Sequence, residues 1–393
     1  MERRSRNRQV RDLSFDRRAF LQATAAVGGL AALGGASAPA LGAPSQKPSD
    51  LPGMPGRYPG RLIEVQDPDS VKDGVPNPDA VSTMIKRGMT ELTGIADPVE
   101  AWRSMFEKGD VVGIKVNPVG QPHAISNFAT VHAIVEGLKS ARVPAKDIII
   151  FDRYKDQFLN AGYEKNLPEG CQWDWASPTF ENVQLEIFEY DPDVFATLEI
   201  VNPKLHDPKD ERTRRSHVAK VITKKINKLI CIPVLKDHGS GGVTLALKNM
   251  SHGLVNNVAR SHGSSVTNTC NLFIPAICTL PAIRSRAVLQ ILDGLNAVYH
   301  RGPGALLQYV WSYKALFFAT DPVAMDRICW EKVDAKRVQE GMPPVAETGK
   351  MGKDPTGTEA FDYRQPQHIA GAGALGLGVY EKEQIEHRVI KLD

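Results

Sequence analysis

Pro233-Val234-Leu235-Lys236-Asp237-His238-Gly239-Ser240-Gly241-Gly242-Val243-Thr244-Leu245-Ala246-Leu247-Lys248-Asn249 is the stretch whose reading decides the fold. The apolar run Leu229–Leu235 reads as a buried strand, the glycines as a turn, and Gly242–Val255 as a helix. A strand feeding a helix through a short turn is half of a strand–helix–strand unit, the repeating element of a parallel sheet. The alternation continues outward in both directions. Apolar runs predict strands at Arg61–Val65, Val111–Val116, Ile148–Phe151, Val183–Phe188, Ala287–Leu292 and Ala315–Ala319. Helical periodicity predicts helices at Pro78–Leu92, Val99–Phe106, Thr130–Ser140 and Pro322–Val338. The expected class is α/β, a largely parallel sheet flanked by helices. Irregular insertions break the rhythm at 155–182 and 202–217. The second is crowded with Lys204, Lys209, Arg212, Arg214 and Arg215 against Asp207, Asp210 and Glu211, and reads as a solvated loop, with anion binding as the alternative.

Polar residues close the predicted strands. Lys115 and Asn117 end one, Asp152 another, Lys236-Asp237-His238 a third, Asp293-Gly294 a fourth and Thr320-Asp321 a fifth. Ligands of open α/β sheets bind beyond the strand carboxyl ends. These residues therefore predict a crevice carrying ammonium, imidazole and carboxylate groups, suited to a small anionic ligand. Two have competing explanations: Asp321 precedes Pro322 as a helix cap, and Asp293-Gly294 is an ordinary turn. Gly241 and Gly242 allow close backbone approach, and the helix amino terminus behind them offers N–H groups to an anion. Lys248 and Asn249 follow one to two turns into that helix. Neither a Walker loop nor a dinucleotide fingerprint is present. His238, His252 and His262 crowd the same region and are candidate metal ligands; hydrogen-bonded structural imidazoles are the alternative. His238 and Lys248 are the candidate catalytic pair.

Phe15-Asp16-Arg17-Arg18-Ala19-Phe20-Leu21-Gln22, a short Ala/Gly-rich run and small residues near 36–43 have the layout of a twin-arginine export signal. The expected organisation is a signal at 1–42, a Pro/Gly-rich linker at 43–60 and one α/β domain at 61–393. The expected partner is the twin-arginine export machinery and the expected location the periplasm, with no stable membrane anchor after cleavage. The chain carries 48 basic and 45 acidic residues. Seven of those arginines fall in the first forty residues against three acids, so the remainder is close to neutral and has no global field for nucleic acid. Five cysteines (Cys171, Cys231, Cys270, Cys278, Cys329) are too scattered for an iron–sulfur cluster of the chain's own. A metal ion remains a candidate cofactor.

Gly109-Asp110-Val111-Val112-Gly113-Ile114-Lys115-Val116-Asn117, Leu235-Lys236-Asp237-His238, Leu247-Lys248-Asn249, Ile291-Leu292-Asp293-Gly294, Gly302-Pro303 and Thr320-Asp321-Pro322-Val323-Ala324-Met325-Asp326 occur in that order. This set resembles the bacterial and archaeal "domain of unknown function 362" family over roughly residues 61–335. Some members of that family carry ferredoxin-like cysteine clusters, which this chain lacks. His238, Ser240-Gly241-Gly242 and Lys248 are also similar to a stretch of nickel-pincer lactate racemases. That similarity implies Lys248 as a covalent cofactor attachment and His238 as a proton shuttle, although the glycines stand in a different register. The expected function is a metal- or cofactor-dependent enzyme of redox or isomerase type with an anion-binding crevice. The alternative is an anion-binding or accessory protein for a separately encoded redox partner.

Overall fold

The computed structural model describes residues 53–181, 184–202, 204–262, 269–345 and 364–393. The predicted export signal at 1–42 and residues 43–52 of the predicted linker lie outside these. The rest of the linker is not a tether. Met54 and Tyr58 are buried, and their backbone N–H groups donate to Arg284 O and to Thr320 Oγ1.

An eleven-stranded mixed sheet forms the centre. Across it the order is Glu386–Lys391, Arg61–Gln66, Ala315–Ala319, Ala287–Val298, Lys228–Cys231, Val112–Lys115, Ile148–Phe151 and Gln172–Asp174. Ala287–Val298, Lys228–Cys231, Val112–Lys115, Ile148–Phe151 and Gln172–Asp174 pair in parallel, as expected of an α/β fold. Ala315–Ala319 is the exception, antiparallel to both Arg61–Gln66 and Ala287–Val298. The predicted strand Leu229–Leu235 is divided, because Pro233 has no N–H for the ladder. Lys228–Cys231 and Val234–His238 both pair with Ala287–Val298, one at each end of it.

Strand side chains alternate between two cores. Leu229 and Cys231 enter one and Ile230 and Ile232 the other; Phe317 and Phe318 divide likewise. Helices Pro78–Thr93, Pro98–Arg103 and Phe128–Ser140 contribute to one core. Leu245–Leu254, Cys270–Cys278, Pro322–Gln339 and His368–Ala374 contribute to the other. Local sequence explains several ends. Asn77 caps Pro78–Thr93 through Asp79 N, and Gly94 ends that helix at φ 74°, a left-handed conformation that suits glycine.

One predicted strand is displaced. Residues 184–188, the described part of the predicted strand Val183–Phe188, form no strand, and the chain instead pairs Tyr190–Thr197 with Arg215–Ala219 in a separate two-stranded sheet. Gln184 instead takes φ 57° and turns its buried amide inward, where Oε1 accepts from Val258 and Ala259 N. An alternating pattern that looked like a strand thus serves a buried polar anchor. No described helix is long and apolar enough to cross a membrane.

Candidate functional site

A cavity of about 520 Å³ opens at the carboxyl ends of the parallel strands. Its wall includes Lys115 and Asn117 from one strand end, Asp152 and Arg153 from the next, and His238 from a third. The helix Leu245–Leu254 brings Lys248, Asn249 and His252 onto the same wall, and His262 follows from the next short turn. Tyr154, Phe180, Leu205 and Pro303 add apolar and aromatic surface. Seven of the sequence candidates therefore meet: Lys115, Asn117, His238, Lys248, Asn249, His252 and His262.

The three lysines differ in what they touch. Lys115 Nζ donates to Asp152 Oδ1 at 2.6 Å and to Val116 O, so its charge is matched. Lys236 lies behind the wall, fully buried, where Nζ donates to Asn117 Oδ1 at 2.9 Å and to Val119 O. Burial lowers its ammonium to about 7, helped by the charges of Lys248 and Lys115. Asn117 passes the network on, donating from Nδ2 to Asn249 Oδ1, and Asn249 donates to Cys231 Sγ. Lys248 is 5% exposed and has no hydrogen-bond or carboxylate partner among the described residues. Burial lowers it to about 8; the Cys270 thiol opposes this and the Arg153 charge adds to it. Arg153 makes a 3.4 Å contact with Val255 O and lies over the Tyr154 ring at 4.1 Å. Two cations without carboxylate partners among the described residues thus face one cavity.

The imidazoles are neutral. Burial, reinforced by the Lys248 charge, holds His238 and His252 well below the usual range and His262 at about 3. His238 Nδ1 accepts from Ser240 and Gly241 N, so its proton sits on Nε2. Its ring stacks on His262 at 5.5 Å. His252 is held between Ser251 Oγ and Ser261 Oγ at 3.0 and 2.9 Å.

The glycines act differently from expectation. A Cβ on Gly241 would meet Lys248 Cε at 3.3 Å, so the residue makes room for the lysine stem. Gly242, at φ 80°, would place a Cβ 2.2 Å from Arg364 O; it admits another part of the chain, and lies off the cavity wall. Nor is the helix terminus open to an anion. Asp326, buried on the helix Pro322–Gln339, accepts from Ala246 N at 2.8 Å and Leu247 N at 2.9 Å. The protein's own carboxylate occupies the place predicted for a ligand.

Asp293 and Asp321 are also away from the cavity. The strand runs through Asp293 to Val298, so no turn forms there. Asp293 Oδ2 accepts from Asn127 N and Thr130 Oγ1, beside a separate cavity of about 610 Å³. Asp321 follows the antiparallel strand, which carries it to the opposite edge of the sheet. Its carboxylate accepts from Val323, Ala324, Gly60 and Val379 N, a complete set of capping and tethering bonds. Sequence reasoning left Arg153 out of the ligand set, although it follows Asp152 directly at the end of an all-apolar strand. Leu205 and Asn202, from the predicted surface insertion, also reach the wall.

All five cysteines are free thiols. Among the described residues, the one metal-capable group contains a single cysteine: His252, His262 and Cys270.

The helix packs tightly on Lys115. A Cβ on Gly253 would stand 2.4 Å from Lys115 Cε and 2.8 Å from Nζ. Gly253→Ala is expected to drive Lys115 from Asp152 and to cost about 1–3 kcal/mol. Urea unfolding measures this, and a cost below 0.5 kcal/mol would show that Lys115 has room to yield.

No curated protein matches the chain. A crystal structure of a Thermotoga maritima protein aligns at 11% identity and a TM-score of 0.37, covering 68% of this chain and 60% of that one. A family model matches residues 112–331, more than half of the chain and the span holding Lys115, Arg153, His238 and Lys248. The chain belongs to the family described as domain of unknown function (DUF362).

Proposed function

We propose that the protein is exported through the twin-arginine route and acts in the periplasm as a metal- or cofactor-dependent enzyme on a small anion. The reaction class is redox or isomerase. One observation carries the reading: Lys248 is held in a cavity beside Arg153 and neutral imidazoles with no carboxylate partner among the described residues. A buried ammonium without a partner is costly, and an anionic ligand relieves that cost. Lys248 and Arg153 would hold the anionic group, and His238 Nε2–H would donate or shuttle a proton at the reacting atom. In the alternative in which Lys248 Nζ carries a covalently held cofactor, Arg153 would hold the anionic group and the cofactor would supply redox or isomerase chemistry.

The test is titration of the mature protein with inorganic phosphate and a panel of small carboxylates, with turnover followed in parallel. Metal analysis and intact mass on protein from its native host accompany it. A stoichiometric metal or added mass at Lys248 supports the enzyme. Binding without chemical change moves the reading to an anion-binding or accessory protein. No binding of any panel member would sink both.

Affinity has an expected pH dependence. His238, His252, His262 and His368 are held neutral near pH 7, and burial raises the Cys270 thiol. Lys236 titrates near 7 behind the wall and Lys248 near 8 on it. Phosphate affinity measured by calorimetry should therefore fall as pH rises past about 8. A flat profile from pH 7 to 10 would remove Lys248 from the site.

A further inference from the structure

We propose that His252, His262 and Cys270 form a transition-metal site in the wall of the cavity, with zinc-like preference and one coordination position open to the anion. The catalytic meaning of this site rests on the cavity being the reaction site; its existence does not. One donor atom from each residue lies within 4.8 Å of the others. Bond lengths of about 2.0–2.3 Å would bring tetrahedral donors to roughly 3–4 Å apart. Side-chain rotation is enough to close that gap. Two imidazoles and a thiolate are a borderline-soft set that favours zinc over magnesium or calcium. Three protein ligands with a fourth position open is the pattern of catalytic zinc. His252 and His262 line the cavity that Lys248 enters, so the open position would face the anion.

The surroundings are prepared for ligation. The His262 ring stands 5.1 Å from the His252 ring, centroid to centroid, which brings the two imidazoles side by side. Ser251 holds His252 Nδ1, and Ser261 Oγ holds Nε2. That same Ser261 hydroxyl lies 3.8 Å from Cys270 Sγ and already donates to Val258 O at 2.7 Å. It therefore stands beside both ligands, and a cation would replace it as the partner of His252 Nε2. Binding would convert the Cys270 thiol to thiolate and release its proton to solvent.

An independent observation comes from His368. Its two ring nitrogens are buried and neither has a hydrogen-bond partner among the described residues. Its backbone N–H donates to Asn271 Oδ1, on the residue after Cys270, and the Lys248 charge helps depress its ring. Buried imidazoles are ordinarily satisfied, so an orphaned one in this neighbourhood points to a group bound there. His238, counted among the metal ligands from sequence, falls outside the cluster. Its Nδ1 is occupied by two backbone N–H groups, which suits it to proton transfer.

The test is titration of metal-free mature protein with Co²⁺ as an optical probe. One equivalent should bind with tetrahedral visible absorption and a thiolate-to-cobalt charge-transfer band. Cys270→Ser should lose that band, and His238→Ala should keep it. Should Cys270→Ser fail to fold, His262→Ala serves instead and should abolish the thermal shift produced by Zn²⁺ in wild type. Absence of stoichiometric cobalt, or a band that survives in Cys270→Ser, overturns the proposal. Phosphate titration of the same metal-free protein separates the two readings. Phosphate binding without cobalt binding refutes the metal site alone, and cobalt binding without phosphate binding refutes the anion reading alone.

Discussion

Lys248→Met is expected to abolish phosphate binding and at the same time to stabilise the protein. The lysine lies 5% exposed with no ion-pair partner among the described residues, and burial has lowered it from 10.5 to about 8. At about 1.4 kcal/mol per pH unit, holding the ammonium in the fold costs about 3 kcal/mol wherever both folded and unfolded chains are protonated. Methionine fills similar space without that cost. The sign follows from proton counting. Between about pH 8 and 10.5 the unfolded chain binds more protons at this site than the folded one, so wild-type stability should rise with pH there. Lys236, lowered to about 7, contributes to the same rise. Lys248→Met should therefore flatten the curve partly and lift stability below pH 8 by up to about 3 kcal/mol. Urea unfolding between pH 6 and 10 measures both effects. A variant less stable than wild type at pH 7 would mean that an anionic partner already compensates the lysine in the free protein.

Asp237→Ala is expected to be the most destabilising single change at the site's edge. Asp237 is fully buried, and Oδ2 accepts from Arg364 Nη1 at 2.9 Å with Arg337 Nη1 at 3.9 Å. Oδ1 accepts from Gly302 N at 2.7 Å. Removing one partner of a buried ion pair costs about 3–5 kcal/mol. The damage should extend to function, because Gly302 is tied to Asp237 and the next residue, Pro303, forms part of the cavity wall. Asp237→Asn keeps an acceptor for Gly302 N and should fall between Ala and wild type. Urea unfolding and phosphate titration measure the two consequences. A loss below 1 kcal/mol in Asp237→Ala would show that Arg364 finds its balance elsewhere.

The apolar runs and their terminal polar residues were enough to place Lys115, Asn117, His238 and Lys248 at one edge, since parallel strands deliver their ends to the same side. Asp321 was misassigned because polarity at a strand end says nothing of strand direction, and Ala315–Ala319 runs the other way. Asp293 was misassigned because an Asp-Gly pair resembles a turn, whereas here the carboxylate secures the start of the helix Phe128–Ser140 from within a strand. Cys270 had no local signal. Its relation to His252 and His262 depends on packing between two helices and a short turn.

Sequence by itself determined the alternation of strands and helices, the α/β class and most of the charged groups that meet at the cavity. Those properties follow from hydrophobic period and turn chemistry, which act between near neighbours. Tertiary structure alone decided which charges are matched. Asp152 neutralises Lys115, Asp326 fills the helix terminus predicted for an anion, and Asp237 pairs with Arg364, while Lys248 has no counterion among the described residues. The reason is physical. A charge's chemistry in a low-dielectric interior is set by partners a few ångströms away, and those partners come from chain segments that only folding brings together.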